Sequence, residues 1–230
     1  MPGFLDRILR ALRGPAPLPT FPERPPEMTL EIAFATWIQF LSGNGFAPET
    51  YLNPPATEAA ITQAETDIGF ALPSDARALY LLHDGQKDIY RNPDPAPGTI
   101  SANIFGYYEF LPLSGLVQEY KNWEDIYISA GEHFDDDFNS TVLRGDDPVV
   151  AAYWRPGWIP FASDGSGNFY AFDMIPTEGG TIGQIIVIGA DEDLRRVLAP
   201  DLSSFLDSAA TTITTLPPAD DKQRVIFSME

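Results

Sequence analysis

The sequence contains no cysteine, and this absence excludes several kinds of protein. Disulfide-stabilised folds, thiolate metal sites and cysteine nucleophiles all need a sulfur atom that the chain does not have. The chain has only two histidines, His83 and His133, which are too few for a metal centre built from several imidazoles. Because a protein without cysteine suits a reducing compartment, we expect a cytoplasmic location.

Basic residues are also scarce. The chain has 14 lysines and arginines against 33 aspartates and glutamates, so its formal net charge is -19. A field of that sign repels nucleic acid and anionic lipid headgroups, and it attracts partners with a basic surface. We therefore expect no nucleic-acid partner. An acidic surface also keeps a protein soluble, and this simpler explanation stands beside the first.

Long hydrophobic runs are missing as well. No stretch approaches the roughly 18 uninterrupted apolar residues that a membrane helix requires. The first residues, "PGFLDRILRALRG", are too short and too interrupted by arginine for the apolar region of a secretory signal. We expect this segment to be retained and the protein to have no stable membrane insertion.

The motifs of common enzyme classes do not occur. The chain has neither a phosphate-binding P-loop nor the G-x-S-x-G turn of serine hydrolases. Paired carboxylates are frequent, but in so acidic a chain their pairing carries almost no information. We expect no catalytic residues, no cofactor and no metal, so the sequence predicts a protein that is not an enzyme.

Composition divides the chain into three parts: residues 1–28, 29–215 and 216–230. The first part combines an amphipathic helix with a proline-rich linker over residues 14–27. That helix could rest on a membrane surface or a partner, or dock on its own domain. Its apolar residues are Phe4, Leu5, Ile8, Leu9 and Leu12, and Arg7, Arg10 and Arg13 lie on the other face.

In the middle part, helices are predicted first and strands later. Helices are expected to begin at Thr29, Thr57 and Ser74, each a suitable capping residue, with further helices over 114–130 and from 202 to about 213. Strands are predicted at 104–113, 149–154, 168–173 and 183–189. Both alternating faces of "NFYAFD" (168–173) are apolar, so we expect this strand to be central and covered on both sides.

Three pieces in this order resemble the SUKH superfamily, which includes fungal cell-wall-assembly regulators and many bacterial immunity proteins. They are a helix with Thr57, Glu58, Ile61 and Glu65 leading into "LYLLHDGQ" (79–86), then "IFGYYEFLPL" (104–113), then "WIPFASDGSGNFYAFD" (158–173). The likeness covers about residues 30–210. It implies an α+β fold with a curved, mostly antiparallel sheet flanked by helices, to which the N-terminal helical extension is added.

The glycines of the third piece, at 165 and 167, raise the question of a ligand loop. A dinucleotide site would need a third glycine where Tyr170 stands, and it would open a helix rather than a strand. The pattern instead favours a structural turn with positive φ. We expect Asp164, Gly165, Gly167 and Asn168 to form this turn, with the aspartate and asparagine side chains bonding the local backbone.

An acidic loop over residues 135–146 partly imitates a calcium-binding EF-hand. Ser140 stands where that loop needs glycine, and Asp146 is shorter than the usual bidentate glutamate. A solvated acidic loop is the favoured interpretation. The loop then becomes a candidate contact surface for a basic partner.

The resemblance implies a non-catalytic binding protein. The favoured hypothesis is a bacterial immunity protein that neutralises a cognate protein toxin, with an acidic face attracting the toxin's basic surface. The alternative is a regulatory scaffold similar to the fungal members. The expected partner-binding residues are Asp135, Asp136, Asp137, Asp146 and Asp147, with Trp123 and Trp154 as aromatic anchors.

Overall fold

The computed structural model of the protein describes residues 29–89, 91, 103–131, 134, 142 and 147–207. Its helices are α1 (Leu30–Gly43), α2 (Pro48–Tyr51), α3 (Glu58–Ile68), α4 (Ser74–Leu82) and α5 (Leu113–Ala130). Its strands are β1 (Glu109–Phe110), β2 (Trp158–Ser163), β3 (Asn168–Asp173), β4 (Gln184–Gly189) and β5 (Arg196–Ala199). Residues 202–207 form a further helical segment.

The five strands make one antiparallel sheet in the order β1-β2-β3-β4-β5, so each strand pairs with its neighbours in sequence. The register of β3 on β4 is regular and sets Tyr170 opposite Val187. It shifts between Pro160 and Ala162 of β2, as expected where a proline interrupts a ladder. The sheet is open and flanked by helices, which confirms the predicted α+β class.

Strand β3 is the middle strand, and all six of its residues are buried. On one face Phe169 contacts Trp123 of α5, with ring centroids 6.5 Å apart. On the other face Tyr170 contacts Phe205 of the 202–207 segment at 5.3 Å. Helices therefore cover both faces of the sheet, which explains why the sequence of β3 does not alternate between apolar and polar residues.

Local capping signals account for both ends of α3. Helix α3 begins after Thr57, whose Oγ1 accepts a hydrogen bond of 3.1 Å from the Ala60 backbone N–H. It ends at Gly69, which has a φ of 76°. Helix α1 begins after Thr29 without a side-chain cap, and α4 follows Pro73 rather than a capping serine. Their starts agree with the predicted positions even where the capping contact differs.

The predicted strand at 149–154 is wrong. The carbonyl oxygens of Ala152 and Tyr153 accept hydrogen bonds of 2.8 and 3.0 Å from the guanidinium group of Arg195. Because a side chain uses these oxygens, they are not used by a neighbouring strand. The segment is apolar because Ala152 and Trp154 are buried in the core without being part of the sheet.

The predicted strand at 104–113 is much shorter than expected. Only Glu109–Phe110 pairs with β2, because the preceding residues turn tightly. There, Phe105 and Tyr108 exchange two backbone hydrogen bonds of 3.2 Å around Gly106, which has a φ of 74°. Strands β2 and β5 are not predicted from the sequence, and the proline within β2 conceals that strand.

The helical extension predicted over residues 1–28 and the tail after 215 lie outside the described residues. The last predicted helix is helical over 202–207, and its remainder also lies outside them. Among the described helices, none combines the length and the apolar character needed to cross a bilayer.

Candidate functional site

Residues 83–86, the last four of the motif "LYLLHDGQ" (79–86), hold the end of α4 against the segment 104–113. The Asp84 carboxylate accepts a hydrogen bond of 2.8 Å from the Leu113 backbone N–H. The buried side-chain oxygen of Gln86 accepts bonds of 2.8 and 3.0 Å from the backbone N–H groups of Ile104 and Phe110. These contacts satisfy buried donors that no strand would otherwise pair, so this motif is structural.

The motif that begins at Thr57 is also structural. Glu58 and Glu65 of α3 each approach the Arg77 guanidinium of α4 to 2.6 Å, and Glu65 also accepts a bond of 2.9 Å from the Leu72 backbone N–H. The hydrogen bond to Glu65 is the main reason that the pKa of Arg77 is raised. The two carboxylates therefore lock α3 against α4.

The predicted glycine turn connects β2 to β3. Gly165 and Gly167 have φ values of 77° and 104°. The two carboxylate oxygens of Asp164 accept bonds from the backbone and side chains of Ser166 and Asn168, at 2.7–3.0 Å. Burial alone would raise the pKa of Asp164, but these hydrogen bonds outweigh it and lower the pKa. All of the carboxylate's observed bonds are made within the turn itself.

The carboxylate of Asp173, unlike that of Asp164, is fully buried in the sheet. Asp173 accepts hydrogen bonds of 3.1 Å from the Trp158 indole, 3.0 Å from Gln184 and 3.0 Å from the Ile175 backbone N–H. Burial raises the pKa of Asp173, although the three donors oppose that effect. Since all these partners are structural elements around the sheet, we assign Asp173 a structural role.

Three of the predicted partner-binding residues, Asp147, Trp123 and Trp154, lie within the described part of the chain. Asp135, Asp136, Asp137 and Asp146 lie outside the described residues. Asp147 is exposed, and its carboxylate accepts a bond of 2.8 Å from the backbone N–H of Val197 at the edge of β5.

The two predicted tryptophan anchors are packed to different degrees. Trp123 is half-buried, with its ring 5.4 Å from that of Tyr153. Trp154 is only 1% exposed and lies between the rings of Tyr120 and Tyr127, at 5.6 and 5.7 Å. A side chain at this depth has no surface to offer a partner, so the structure corrects the prediction for Trp154.

A groove of about 640 Å³ opens between α1, α2, the segment 52–55 and the end of α4. A concave surface of this size is typical of binding sites. No single sequence motif predicts it, because its walls come from four separate segments. Its apolar lining consists of Phe34, Ala35, Ile38, Leu52, Pro54, Pro55 and Leu82.

The base of the groove is part of the hydrophobic core. Phe34, Ile38 and Leu52 belong to the hydrophobic core and are at most 9% exposed. The His83 ring lies 5.9 Å from the Phe34 ring. Its Nδ1 lies 2.9 Å from the carbonyl oxygen of Asn53, so this nitrogen is the donor and Nε2 is the acceptor in the neutral ring. His83 is thus held between α1 and the segment 52–55.

Charged groups lie at the edge of the groove. Glu31 on α1 and Glu49 on α2 are both exposed and contribute two carboxylates. Lys87, which also lines the groove, donates a hydrogen bond of 3.1 Å to the Thr50 carbonyl oxygen. An apolar base with acidic groups at its edge suits a ligand that presents apolar and basic side chains together.

The described lining of the groove has none of the catalytic arrangements known for its residue types. Its imidazole bonds a backbone carbonyl, and among the described residues that line it there is no serine, threonine or cysteine that His83 could activate. Within the described ranges, no group of three or more histidine, aspartate or glutamate side chains is placed to hold a metal ion. The arrangement can bind an apolar segment, and we take it as the candidate site.

Comparison with known proteins identifies relatives over most of the domain that follows α2. The sequence model of the SMI1 / KNR4 family (SUKH-1) matches residues 55–208. That range contains α3, α4, α5 and the whole sheet, together with both structural motifs described above.

Curated relatives come from fungi. The "Cell wall biosynthesis/cell cycle regulator smi1" of Schizosaccharomyces pombe is 30% identical over 164 residues, covering 66% of this chain and 29% of the relative. The "Cell wall assembly regulator SMI1" of Saccharomyces cerevisiae is 25% identical over 187 residues, covering 70% and 36%. The "Glucan synthesis regulatory protein" of Neurospora crassa is 25% identical over 198 residues, covering 73% and 36%. The matched region is about a third of each relative's length.

These relatives overturn the favoured hypothesis from the sequence. They are named as regulators of wall assembly and glucan synthesis, whereas the sequence analysis favours a bacterial immunity protein. That hypothesis is wrong, and the alternative of a regulatory scaffold agrees with the relatives. The mistake arises because the recognised motifs maintain the fold, which regulators and immunity proteins share, and do not distinguish between them.

Proposed function

The chain belongs to the SMI1 / KNR4 family (SUKH-1), and from that membership we propose that it is a regulator of cell-wall assembly that acts by binding other proteins. The observation that carries the proposal is the similarity to regulators of wall assembly and glucan synthesis from three fungi. The groove between α1, α2, segment 52–55 and α4 supplies the contact surface in this proposal.

We further propose that the protein has no catalytic activity. Support comes from the names of its relatives, which describe regulators, and from the groove, where no nucleophile accompanies His83 among the lining residues that the structure describes. The buried acidic residue Asp173 and the turn residue Asp164 are both used by backbone and neighbouring side chains. A binding function requires a complementary surface, and the concave apolar groove supports the proposal as such a surface.

The proposed partner is a protein with a basic surface, and the proposed location is the cytoplasm. A net charge of -19 favours association with a basic partner through long-range attraction. A chain without cysteine fits a reducing compartment.

A replacement experiment tests the proposal. Since the matched region is about a third of the yeast regulator, residues 29–208 of this chain, which include the groove and the core residues of α1, would replace the corresponding region of that protein in Saccharomyces cerevisiae. We expect the chimera to restore wall glucan content, relative to a strain in which the regulator gene is deleted. The unmodified yeast protein and the same protein without the region are the two controls.

The result that would overturn the regulatory proposal is also clear. In that result, the chimera accumulates to the normal amount and still leaves glucan content equal to that of the strain whose yeast protein lacks the region. This would show that the domain lacks the regulator's function. Protein abundance must be measured in parallel, because an unstable chimera would give the same phenotype for another reason.

A further inference from the structure

We propose that the groove binds the chain's own N-terminal segment, residues 4–13, and that this segment thereby competes with partners for the same surface. The inference uses the groove assigned under the proposed function, but it concerns an intramolecular contact that exists without any partner. It requires three properties: a matching apolar surface, sufficient reach and complementary charge.

The apolar surfaces match in kind. The exposed apolar surface of the groove comes from Ala35, Pro54 and Pro55, with the half-buried Leu82, and a concave apolar surface in water favours an apolar occupant. Residues 4–13 read "FLDRILRALR", in which five apolar residues recur at helical spacing. A helix presents such residues on one side, and helix-in-groove binding is a common mode of recognition. These residues are Phe4, Leu5, Ile8, Leu9 and Leu12.

The segment has sufficient reach. The described chain begins at Thr29, two residues before Glu31 in the groove lining, so the preceding residues enter the domain beside the groove. Residues 14–28 contain six prolines, and an extended proline-rich chain of this length spans about 45 Å. Helix α1 is only about 20 Å long at 1.5 Å per residue, so the segment can fold back over it.

The charges are complementary. Residues 4–13 contain three arginines and one aspartate, in a chain whose overall charge is -19. Glu31 and Glu49 stand on two different walls of the groove, so arginines flanking an apolar stripe can approach carboxylates on both sides. Since the two parts are covalently joined, their effective concentration is in the millimolar range and a weak contact suffices.

The absence of cysteine permits a direct test in the full chain. Two cysteines would be introduced, Ala11→Cys in the segment and Ala35→Cys in the exposed lining of the groove. Neither change removes a residue of the apolar stripe. The control pair combines Ala11→Cys with Thr62→Cys, which is exposed on α3 and does not line the groove. Disulfide formation under mild oxidation would be followed by mass spectrometry and non-reducing gels at micromolar protein.

We expect the groove pair to form an intrachain disulfide about tenfold faster than the control pair, because the docked segment spends most of its time there. Adding Ile8→Ser and Leu12→Ser should reduce that rate to the control level. Reversing the charge at the two groove carboxylates, with Glu31→Lys and Glu49→Lys, should slow disulfide formation in the groove pair, most clearly at low salt. An excess of a synthetic peptide of residues 1–13 should also slow it by competition.

Equal rates for the groove and control pairs would overturn the proposal. Predominantly interchain disulfides would also overturn it, since the groove would then be occupied by a second copy. A melting temperature equal to that of the unsubstituted chain confirms that each variant is folded before its rate is interpreted. Failure here leaves the regulatory proposal intact, because the chimera experiment does not contain residues 1–28.

Discussion

Arg195 and Ala152 lie 43 positions apart, yet the Nε of the arginine donates a hydrogen bond of 2.8 Å to the alanine's carbonyl oxygen. Its other guanidinium nitrogens donate to the carbonyl oxygens of Tyr153, Glu192 and Gly189. The side chain is 2% exposed, and burial lowers the pKa of Arg195 to about 10. A single buried cation therefore fixes the irregular segment 149–154 to the connection between β4 and β5.

Replacing this arginine should be costly even when the charge is kept. In Arg195→Lys, one ammonium group cannot reach carbonyl oxygens spread around a planar guanidinium. We expect the free energy of unfolding to fall by about 2–4 kcal/mol, because buried carbonyl oxygens and a buried cation lose partners. Urea unfolding measures the change. The matched control is Arg196→Lys, a half-buried neighbour whose guanidinium lies 3.6 Å from the Glu192 carboxylate, and it should change stability by less than about 0.5 kcal/mol. Equal losses in the two variants would refute the role assigned to Arg195.

The same contact shows what could and could not be predicted from the sequence. Order and type of most elements were predictable because capping residues and apolar periodicity act locally, as at Thr57 and in β3. The segment 149–154 has an apolar pattern typical of a strand, but a distant arginine takes its carbonyl oxygens. No local pattern contains that information. Sequence alone therefore overestimates strand content wherever a side chain replaces a neighbouring strand.

The candidate site was less predictable than the fold. The groove combines residues of α1 and α2 with Pro54 and His83, which are separated along the chain and form no motif. The residues that do form motifs, such as Asp84 and Gln86, are used for internal hydrogen bonds. The residues that form recognisable motifs in this chain thus stabilise the fold. The groove is formed by other residues, which are far apart in the sequence.

Substitutions at two glycines distinguish the free-energy cost of a strained backbone conformation from the cost of steric overlap. Gly85 has a φ of 70°, and an added Cβ would lie 2.3 Å from the backbone nitrogen of Pro112. Gly165 has a φ of 77°, but nothing lies within 4 Å of its added Cβ. We expect Gly165→Ala to lower the free energy of unfolding by about 1–2 kcal/mol from conformational strain alone. Gly85→Ala should cost about 3 kcal/mol or more, because backbone atoms must also move. Thermal or urea unfolding of both variants tests this, and equal losses would contradict the overlap.

Asp164 should make stability depend on pH. Its pKa is lowered from 3.8 in the folded protein, so the unfolded chain binds a proton more readily. Its contribution to stability is therefore present above about pH 4 and is lost as the pH falls through the lowered pKa. Asp164→Asn should reduce the melting temperature at pH 7, and the difference from the unsubstituted chain should shrink near pH 3. The control is Asp67→Asn, which removes an exposed aspartate of α3 away from the turn. A difference that stays constant between pH 7 and pH 3 would show that the carboxylate's ionisation has no such role.

Two adjacent residues of α1 allow the groove itself to be tested. Ala35 lines the groove and its neighbour Thr36 does not, although both are exposed on the same helix. Ala35→Arg would place a long charged side chain in the apolar space, whereas Thr36→Arg would add the same charge outside it. We expect both variants to keep their melting temperature within about 1–2 °C, as surface substitutions usually do.

In a yeast chimera that carries residues 29–208 of this chain, Ala35→Arg should lower the restored glucan content several-fold and Thr36→Arg should leave it unchanged. Equal restoration by the two variants would remove the groove as the contact surface while leaving the family's regulatory function in place, and the search would then turn to the exposed face around Asp147.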